Sequence, residues 1–326
     1  MSDLEVDMVV VGAGPVGLYA AYYAGFRGMS IAVVDSLPEP GGQVAALYPE
    51  KLIHDVAGLP GVRGRDLVKS LLRQAESYAP RWLLGQSAST IERLGDGRIR
   101  LHTTTGTEVV TRSIVLAAGI GTFRPRPLPA GGEYLGRGVD YFVTDPDAYA
   151  GHDVLIVGGG DSAVDWALAL EPIARTVTLV HRRERFTAHE ASVAELRRSR
   201  ATVRTPYVVH ALSGDREVSR AILRGTAAGE LHEVDCSRVV AALGFTADLG
   251  PLTGWGLRIV DRHIVVDSTM ATGVPGVYAA GDVTEYPGKV RLISVGFGEA
   301  ALAVNNAAVA GDPSAQLFPG HSTATA

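Results

Sequence analysis

The fold of this chain is decided by the stretch Val6–Asp35, which reads VDMVVVGAGPVGLYAAYYAGFRGMSIAVVD. It begins with an apolar run of the kind that a fully buried parallel strand needs. The run leads into Gly12-Ala13-Gly14-Pro15-Val16-Gly17, which has the spacing G-x-G-x-x-G, and a second apolar strand, Ile31–Val34, ends at an acid. The pattern predicts a strand, a tight turn, a helix that begins near Pro15, and a second parallel strand.

Each glycine of this turn has its own mechanical role. Gly12 makes the tight turn, Gly14 lets the backbone approach a pyrophosphate, and Gly17 lets the helix pack close to the strand. Pro15 suits the first turn of a helix, whose N-terminus presents free N–H groups to phosphates. Asp35, about 20 residues past the glycines, can accept hydrogen bonds from a ribose diol. The stretch is therefore predicted to bind a dinucleotide; the alternative is a glycine-rich turn in an ordinary strand–helix–strand unit.

The same pattern returns near the middle of the chain. The apolar strand Val154–Val157 leads into Gly158-Gly159-Gly160-Asp161-Ser162-Ala163, which has the spacing G-x-G-x-x-A, and the next strand is Thr176–Val180. This internal repeat predicts two separate dinucleotide-binding turns, which we call cradles, and hence two dinucleotides.

The second cradle differs from the first at the position expected to contact the adenosine ribose. In place of an acid stand His181-Arg182-Arg183 and then Arg185. An acid would repel a 2′-phosphate, whereas arginine offers it a planar fork of donors. The second cradle is therefore predicted to prefer NADP(H) to NAD(H); the alternative is a solvated basic turn.

The rest of the pattern places these cradles in two domains. Apolar strands end at Gly119 and Gly244, prolines cluster at 125–129, and Val277–Asp282 is a strand that runs into an acid before a helix over 295–310. We expect an α/β protein with two Rossmann-like, three-layer ββα dinucleotide-binding domains, the second inserted into the first. The first domain is expected to comprise residues 1–124 and 248–326, and the second residues 125–247. Alternation over 82–115 predicts an antiparallel meander, and residues 259–266 are expected to form a hairpin.

Composition limits the class of protein and its partners. The chain has 326 residues, of which 46% are hydrophobic and 20% are charged, as expected for a globular protein of two ordinary domains. Its formal net charge of −5 argues against nucleic acid as a partner, because neutralising phosphates needs a basic surface. Apolar runs are broken before membrane-spanning length, and a cleavable leader is not evident, so we expect a cytoplasmic protein without a membrane partner.

The single cysteine, Cys236, limits the redox chemistry of the chain. One cysteine allows no intramolecular disulfide and no Cys-x-x-Cys pair, and it cannot ligate an iron–sulfur cluster. We expect Cys236 to be a small, buried or half-buried apolar residue rather than a reactive thiol, and we expect no metal site.

Several segments together resemble the two-domain flavoprotein disulfide reductases and, more closely, the thioredoxin-reductase-like type of ferredoxin/flavodoxin–NADP⁺ reductase. These segments are GGQ at 41–43, YPEK at 48–51, GGGDSAVDW at 158–166, HRR at 181–183, AGDV at 280–283 and HST at 321–323. Thioredoxin reductase carries a redox-active Cys-x-x-Cys in its NADPH domain, and the corresponding stretch here, residues 139–146, has no cysteine. The resemblance covers essentially the whole chain and implies FAD, NADPH and a homodimer.

The resemblance also implies roles for individual residues. Tyr48 would stack on one face of the isoalloxazine, and His321, from the tail of the partner subunit, would cover the other. Neither would act as an acid or a base. The implied FAD contacts are Gly12, Gly14, Pro15, Gly17, Asp35 on the adenosine ribose, Gln43, Tyr48, Ala88, Phe123, Asp282 on the ribityl chain, and Thr323. The implied NADP contacts are Gly158, Gly160, Asp161, Ser162, His181, Arg182, Arg183 and Arg185.

The activity implied by the resemblance is electron transfer between NADPH and ferredoxin or flavodoxin. It would proceed by hydride transfer to flavin N5 followed by one-electron steps, without a redox-active disulfide. Two alternatives remain open. One is a diaphorase, or a reductase that serves another carrier or an oxygenase, and the other is a non-catalytic flavoprotein that senses nucleotides.

Overall fold

The computed structural model describes residues 4–321, without the side chains of residues 122–124 and 246–247. The chain divides into two compact units. The outer unit comprises Met1–Phe123 and Ala247–Ala326, and the inner unit is the insertion Arg124–Thr246. Both chain crossings lie one residue before the positions expected from the sequence.

The strands and helices are numbered in chain order. The first part of the outer unit contains β1 (Leu4–Val11), α1 (Pro15–Phe26), β2 (Ile31–Asp35), α2 (Gly42–Leu47), β3 (Leu52–Ile53), β4 (Val62–Arg63), α3 (Gly64–Glu76), β5 (Arg81–Leu84), β6 (Ala88–Arg93), β7 (Ile99–Thr103), β8 (Glu108–Leu116) and, at the crossing, β9 (Thr122–Pro125). The inner unit contains β10 (Val139–Asp140), β11 (Asp153–Val157), α4 (Asp161–Leu170), β12 (Thr176–Val180), α5 (Glu190–Leu196), β13 (Thr202–Arg204), β14 (Tyr207–Ser213), β15 (Arg220–Gly225), β16 (Leu231–Asp235) and β17 (Arg238–Ala241). The chain then returns through β18 (Phe245–Asp248) to β19 (Ile259–Val260), β20 (His263–Val265), β21 (Val277–Ala279), β22 (Thr284–Glu285) and α6 (Ile293–Gly311).

Parallel strands form the centre of the outer unit. Their order is β5-β2-β1-β8, and β21 pairs with the end of β8. The beginning of β8 pairs antiparallel with β7, which pairs in turn with β6. The meander predicted over 82–115 is therefore confirmed for β6, β7 and β8 but wrong for β5, which is a parallel edge strand beside β2. The physical reason is that α3 lies between β2 and β5, and a connection through a helix joins parallel strands.

The inner unit repeats this plan. Its sheet has the order β10-β17-β11-β12-β13, with every pairing parallel, and β14, β15 and β16 form a separate antiparallel meander. Residues of β11 alternate between two cores, because Val154 and Ile156 pack with α4 whereas Leu155 and Val157 pack with the meander. Burial of each such side chain is worth about 1.5–3 kcal/mol. The predicted fold class, two Rossmann-like units with the second inserted into the first, is confirmed.

Helix α6 belongs to the core of the outer unit. By length and composition alone it could cross a membrane. It packs, however, against α1, β8 and β21, and the small residues Ala300, Ala303, Val304 and Ala307 are buried in that core. We interpret it as a core helix, for which an apolar composition is expected.

Candidate functional site

Most of the residues predicted to contact FAD line one cavity of the outer unit, at the carboxyl ends of its parallel strands. Those on the cavity wall are Gly12, Gly14, Pro15, Asp35, Gln43, Tyr48, Ala88 and Asp282. Open α/β sheets bind their ligands at this edge. Gly17 lies behind the wall. The side chain of Phe123, and Thr323 as a whole, lie outside the described residues.

The glycine turn of the outer unit has no room for side chains. A Cβ at Gly12 would overlap the carbonyl oxygen of Ala117, and one at Gly17 would overlap the carbonyl oxygen of Gly12. Gly14, the N-cap of α1, faces Gly42, where a Cβ would lie 2.9 Å from the Gly14 Cα. Two bare stretches of backbone therefore border the cavity beside the first turn of α1, whose N–H groups have no acceptor within the helix. This arrangement fits a pyrophosphate.

Asp35 ends β2 with its side chain fixed toward the turn. One carboxylate oxygen accepts from the Ala13 N–H at 2.5 Å, and the other accepts from the Leu37 N–H at 2.8 Å. Burial raises the pKa of this carboxyl group, and the two backbone hydrogen bonds oppose that effect. Each oxygen keeps a lone pair, so the carboxylate can also accept from a ribose diol.

Gln86 is a cavity residue that sequence reasoning missed. Its Oε1 accepts from the hydroxyls of Thr103 and Thr105, each at 2.8 Å. This arrangement leaves the amide nitrogen as the donor available to a ligand, since no acceptor for it is found within residues 4–321. The signal was its position two residues past the end of β5, at the same sheet edge as Asp35.

The same cavity is lined by residues predicted to contact the flavin and its ribityl chain. Tyr48 follows α2, and burial, with Asp282 and Asp55 nearby, raises its pKa to about 12, so its hydroxyl stays protonated. The amide of Gln43 packs against Gly119, where a Cβ would lie 2.8 Å from its nitrogen. Burial also raises the pKa of Asp282, although Lys289 and Arg291 oppose this effect. An aromatic ring, an amide and a carboxylate thus line one cavity and can contact a flat ring and a polyol.

The glycine turn of the inner unit is equally crowded. A Cβ at Gly158 would overlap the carbonyl oxygen of Ala242, and Gly160 is the N-cap of α4. The segment after β12 folds over this turn, because the Thr187 N–H donates to the Gly159 carbonyl at 2.8 Å and the His189 N–H donates to Asp161 at 2.8 Å. Sequence reasoning missed Thr187, whose hydroxyl also donates to Gly159.

The predicted 2′-phosphate residues divide into two kinds. The ring of His181 packs over Gly159, where a Cβ would overlap it, and against Phe186. Burial lowers the pKa of His181, as do Arg182 and Arg183, so the ring is neutral at pH 7. Arg182, Arg183 and Arg185 are exposed, and within the described part of the chain none of them forms an ion pair. Their guanidinium groups follow the glycine turn's neighbouring strand β12 and, among the described residues, have no carboxylate partner, so they can bind an anionic ligand.

His321 does not line the cavity of its own chain. It is exposed and packs edge-on against Phe318, with ring centroids 5.1 Å apart. The preceding tail is held by Arg27, which donates to the carbonyls of Gln316 at 2.8 Å and Leu317 at 3.1 Å. Within one chain, therefore, His321 and Tyr48 are not brought together.

Cys236 is buried, with 2% of its surface exposed, and burial raises the pKa of its thiol to about 12. A thiol with this pKa is almost entirely protonated at neutral pH and is a poor nucleophile. The expectation that Cys236 is a buried apolar residue is confirmed.

Comparison with known proteins agrees with this geometry. The family model described as pyridine nucleotide-disulphide oxidoreductase matches residues 6–307. The ferredoxin–NADP reductase of Salinispora arenicola is 60% identical over 321 residues, which cover 98% of this chain and 98% of that protein. The ferredoxin–NADP reductase of Frankia casuarinae is 58% identical and covers 97% of this chain and 98% of its own.

Solved structures share the fold at lower identity. Thioredoxin reductase of Lactococcus lactis superposes with a TM-score of 0.79 at 26% identity, over 94% of this chain and 99% of that chain. Thioredoxin reductase of T. acidophilum superposes with a TM-score of 0.78 at 27% identity, over 93% and 97% of the two chains. The resemblance predicted from the sequence is confirmed, and this chain belongs to the pyridine nucleotide-disulphide oxidoreductase family and, within it, to the ferredoxin–NADP reductases.

Proposed function

We propose that this protein is an FAD-dependent oxidoreductase that passes electrons between NADP(H) and ferredoxin or flavodoxin. The observation that carries the proposal is the contrast between the two cradles. The cradle of the outer unit ends at the buried carboxylate of Asp35, whereas that of the inner unit ends at three exposed arginines without carboxylate partners among the described residues. One site suits an unphosphorylated ribose and the other a phosphorylated one.

In the outer unit, the chain would hold FAD by its backbone and by a few polar groups. The pyrophosphate would bind at Gly14, Pro15 and the first turn of α1, and Asp35 would accept from the adenosine ribose. Gln43, Tyr48, Ala88 and Phe123 would line the flavin and its linker, and Asp282 would accept from the ribityl chain. When bound, FAD supplies the hydride acceptor and the one-electron donor, and the protein supplies orientation and electrostatics.

In the inner unit, the chain would bind NADP(H) in the same way, through its backbone and a few polar or charged side chains. Gly158 and Gly160 would let the pyrophosphate approach α4, with Asp161 and Ser162 in its first turn. The 2′-phosphate would be bound by Arg182, Arg183 and Arg185. We assign His181 mainly to holding the turn, because its neutral ring packs on Gly159.

The absence of a dithiol supports a one-electron carrier as the partner rather than a disulfide. The sequence has one cysteine, and the curated relatives named above are ferredoxin–NADP reductases. A chain without a second thiol cannot relay a reducing pair through its own disulfide. Ferredoxin and flavodoxin both accept single electrons, so both remain within the proposal.

We further propose that the protein is a cytoplasmic homodimer in which the tail of each subunit reaches the cavity of the other. The supporting observation is that His321 is exposed in its own chain, whereas Arg27 holds the root of the tail in place. Thr323 would contact the flavin in the same way. The test is the mass in solution combined with the flavin spectrum of His321→Ala.

The central experiment is the absorbance spectrum of the purified protein before and after anaerobic NADPH, followed by addition of acceptors one at a time. We expect a flavin spectrum that NADPH bleaches and that ferredoxin or flavodoxin restores. Restoration by free quinones alone would favour a diaphorase, and a flavin that NADPH does not bleach would favour a nucleotide sensor. A colourless protein that takes up no FAD on reconstitution would contradict the proposal.

A further inference from the structure

A buried ion pair lies against the loop that carries Asp282 to the cavity wall. The Lys289 Nζ lies 2.5 Å from Glu299 Oε1, and the two side chains are only 1% and 4% exposed. Neither residue lines the cavity. Removing two charges from water is costly, so a buried pair persists only where its geometry and its additional hydrogen bonds are good.

The Glu299 carboxylate collects donors from a single loop. Its Oε2 accepts from the Gly281 N–H at 2.7 Å and from the Thr284 hydroxyl at 3.4 Å. Its Oε1 accepts from the Tyr286 hydroxyl at 2.5 Å as well as from Lys289. The Lys289 ammonium also lies 5.5 Å from the centre of the Tyr286 ring, a cation–π distance. One carboxylate on α6 thus fixes the whole loop from Gly281 to Lys289.

This loop forms part of the cavity wall. Gly281 and Asp282 line the cavity, and Gly281 has a φ of 84°, which places its N–H toward Glu299 in a conformation that favours glycine. The packing behind it is tight, because a Cβ at Gly296 would overlap Val16 of α1 and would lie 3.3 Å from the Gly281 Cα. A displacement of Gly281 would therefore move the neighbouring Asp282 side chain.

We propose that Glu299, paired with Lys289, is a positioning residue that holds the Asp282 carboxylate at the cavity wall and thereby sets the affinity for FAD. The inference rests on the proposed FAD binding. Neither Glu299 nor Lys289 contacts the cofactor; both act through the Gly281 backbone. In addition, the ammonium of Lys289 offsets the charge of Glu299, so Asp282 does not face a second uncompensated carboxylate.

The test is the dissociation constant of FAD from reconstituted apoprotein, measured by quenching of flavin fluorescence. Lys289→Met leaves a buried carboxylate unpaired beside Asp282, and we expect FAD to bind at least about tenfold more weakly. Glu299→Gln/Lys289→Met removes both charges and should recover most of that loss. Glu285→Gln is the matched control, because it breaks a partly exposed ion pair between the same loop and Arg291, and it should change the constant by less than about twofold.

A double-mutant cycle with Asp282→Asn separates positioning from general stability. If Lys289 acts through Asp282, then Lys289→Met should cost less than about twofold in the Asp282→Asn background. An equal loss in both backgrounds, or an unchanged constant for Lys289→Met, would overturn the inference while wild-type protein still binds FAD. Wild-type apoprotein that takes up no FAD would overturn the proposed function together with the inference. If Lys289→Met fails to fold, Glu299→Gln, which leaves the buried Lys289 ammonium without its partner behind the same loop, provides the comparison in both Asp282 backgrounds, with the same outcomes for and against the inference.

Discussion

Removing Arg182 and Arg183 together should change the nucleotide preference of the protein without changing its stability. Both side chains are exposed, and within residues 4–321 neither forms an ion pair, so Arg182→Ala/Arg183→Ala breaks no described contact of the folded chain. A charge-assisted hydrogen bond is worth about 1.5–3 kcal/mol. Because these arginines are solvated, we take about 1.5 kcal/mol for each, or about 3 kcal/mol for both. That free energy corresponds to a loss of about a hundredfold in affinity for the 2′-phosphate.

The assay is steady-state reduction of ferricyanide with NADPH and with NADH, which requires no protein partner. We expect the KM for NADPH to rise by about a hundredfold and the KM for NADH to stay within about twofold. Calorimetric binding of 2′-AMP and 5′-AMP isolates the phosphate, and only the 2′ isomer should lose affinity. Arg200→Ala is the matched control, because Arg200 is an exposed arginine of the same unit that is already paired with Glu171 at 2.7 Å. Equal losses for NADPH and NADH would refute the assignment of these arginines to the 2′-phosphate.

Four further predictions follow from the same structure. Gln86→Ala should weaken FAD binding by about fivefold, since it removes one hydrogen bond of about 1 kcal/mol. Thr103→Val should have a smaller effect in the same fluorescence titration. An unchanged dissociation constant for Gln86→Ala would show that Gln86 does not contact FAD. Deleting His321–Ala326 should shift the flavin absorbance or the turnover rate, and an unchanged spectrum and rate would argue against a flavin contact for the tail. Cys236→Ala should leave NADPH-dependent reduction of ferredoxin intact, because the thiol is buried and its pKa is about 12; an inactive but folded variant would contradict a mechanism without cysteine. Asp282→Asn should raise the Tm of the apoprotein at pH 7, because burial raises the pKa of Asp282 in the folded state, and keeping the carboxylate charged there costs stability. The gain in Tm should shrink as the pH falls through the pKa of the folded state. A gain that grows on acidification would contradict this prediction.

The glycine turns could be predicted from the sequence because their constraints are local. Gly12 and Gly17 are five positions apart, and the oxygen of one fills the space that a side chain would need on the other. Asp35 is similarly predictable, since one helix and one strand separate it from the first turn and its carboxylate accepts a hydrogen bond from that turn. Such rules depend on spacing alone and therefore hold before any tertiary contact is known.

The residues that sequence reasoning missed are positioned by partners far along the chain. Gln86 owes its orientation to Thr103 and Thr105, on and just after the meander strand β7. Glu299 is bonded to Gly281, and the only sequence signal was that it is the single charged residue in α6. A lone acid in a small-residue helix indicates a buried partner but does not identify it. Which groups converge on such a side chain depends on tertiary packing rather than on local pattern.

The basic turn of the inner unit contains residues in two different environments. His181, Arg182 and Arg183 are adjacent, and the sequence pattern predicts that all three contact a phosphate. In the structure, the His181 ring covers Gly159 and its Nε2 lies 3.2 Å from the Arg185 carbonyl oxygen, so it stabilises the turn. The arginines project to solvent. His181 directly follows the end of β12 and packs on Gly159, whereas the residues after it are exposed, so contiguity in sequence does not imply a shared contact.

The single cysteine, Cys236, distinguishes this chain from members of its family that reduce disulfides through a dithiol. The family is described by disulfide chemistry, and structures of thioredoxin reductases share the fold, yet this chain has a single cysteine, buried in the inner unit. Two-electron transfer to a disulfide needs a dithiol that can form a mixed disulfide. Two nucleotide cradles without a dithiol would, in the proposed function, preserve the supply of electrons and lack the relay that delivers them to a disulfide. In the proposed function, the acceptor would therefore take electrons from the cofactor itself, which favours a protein that carries its own one-electron centre.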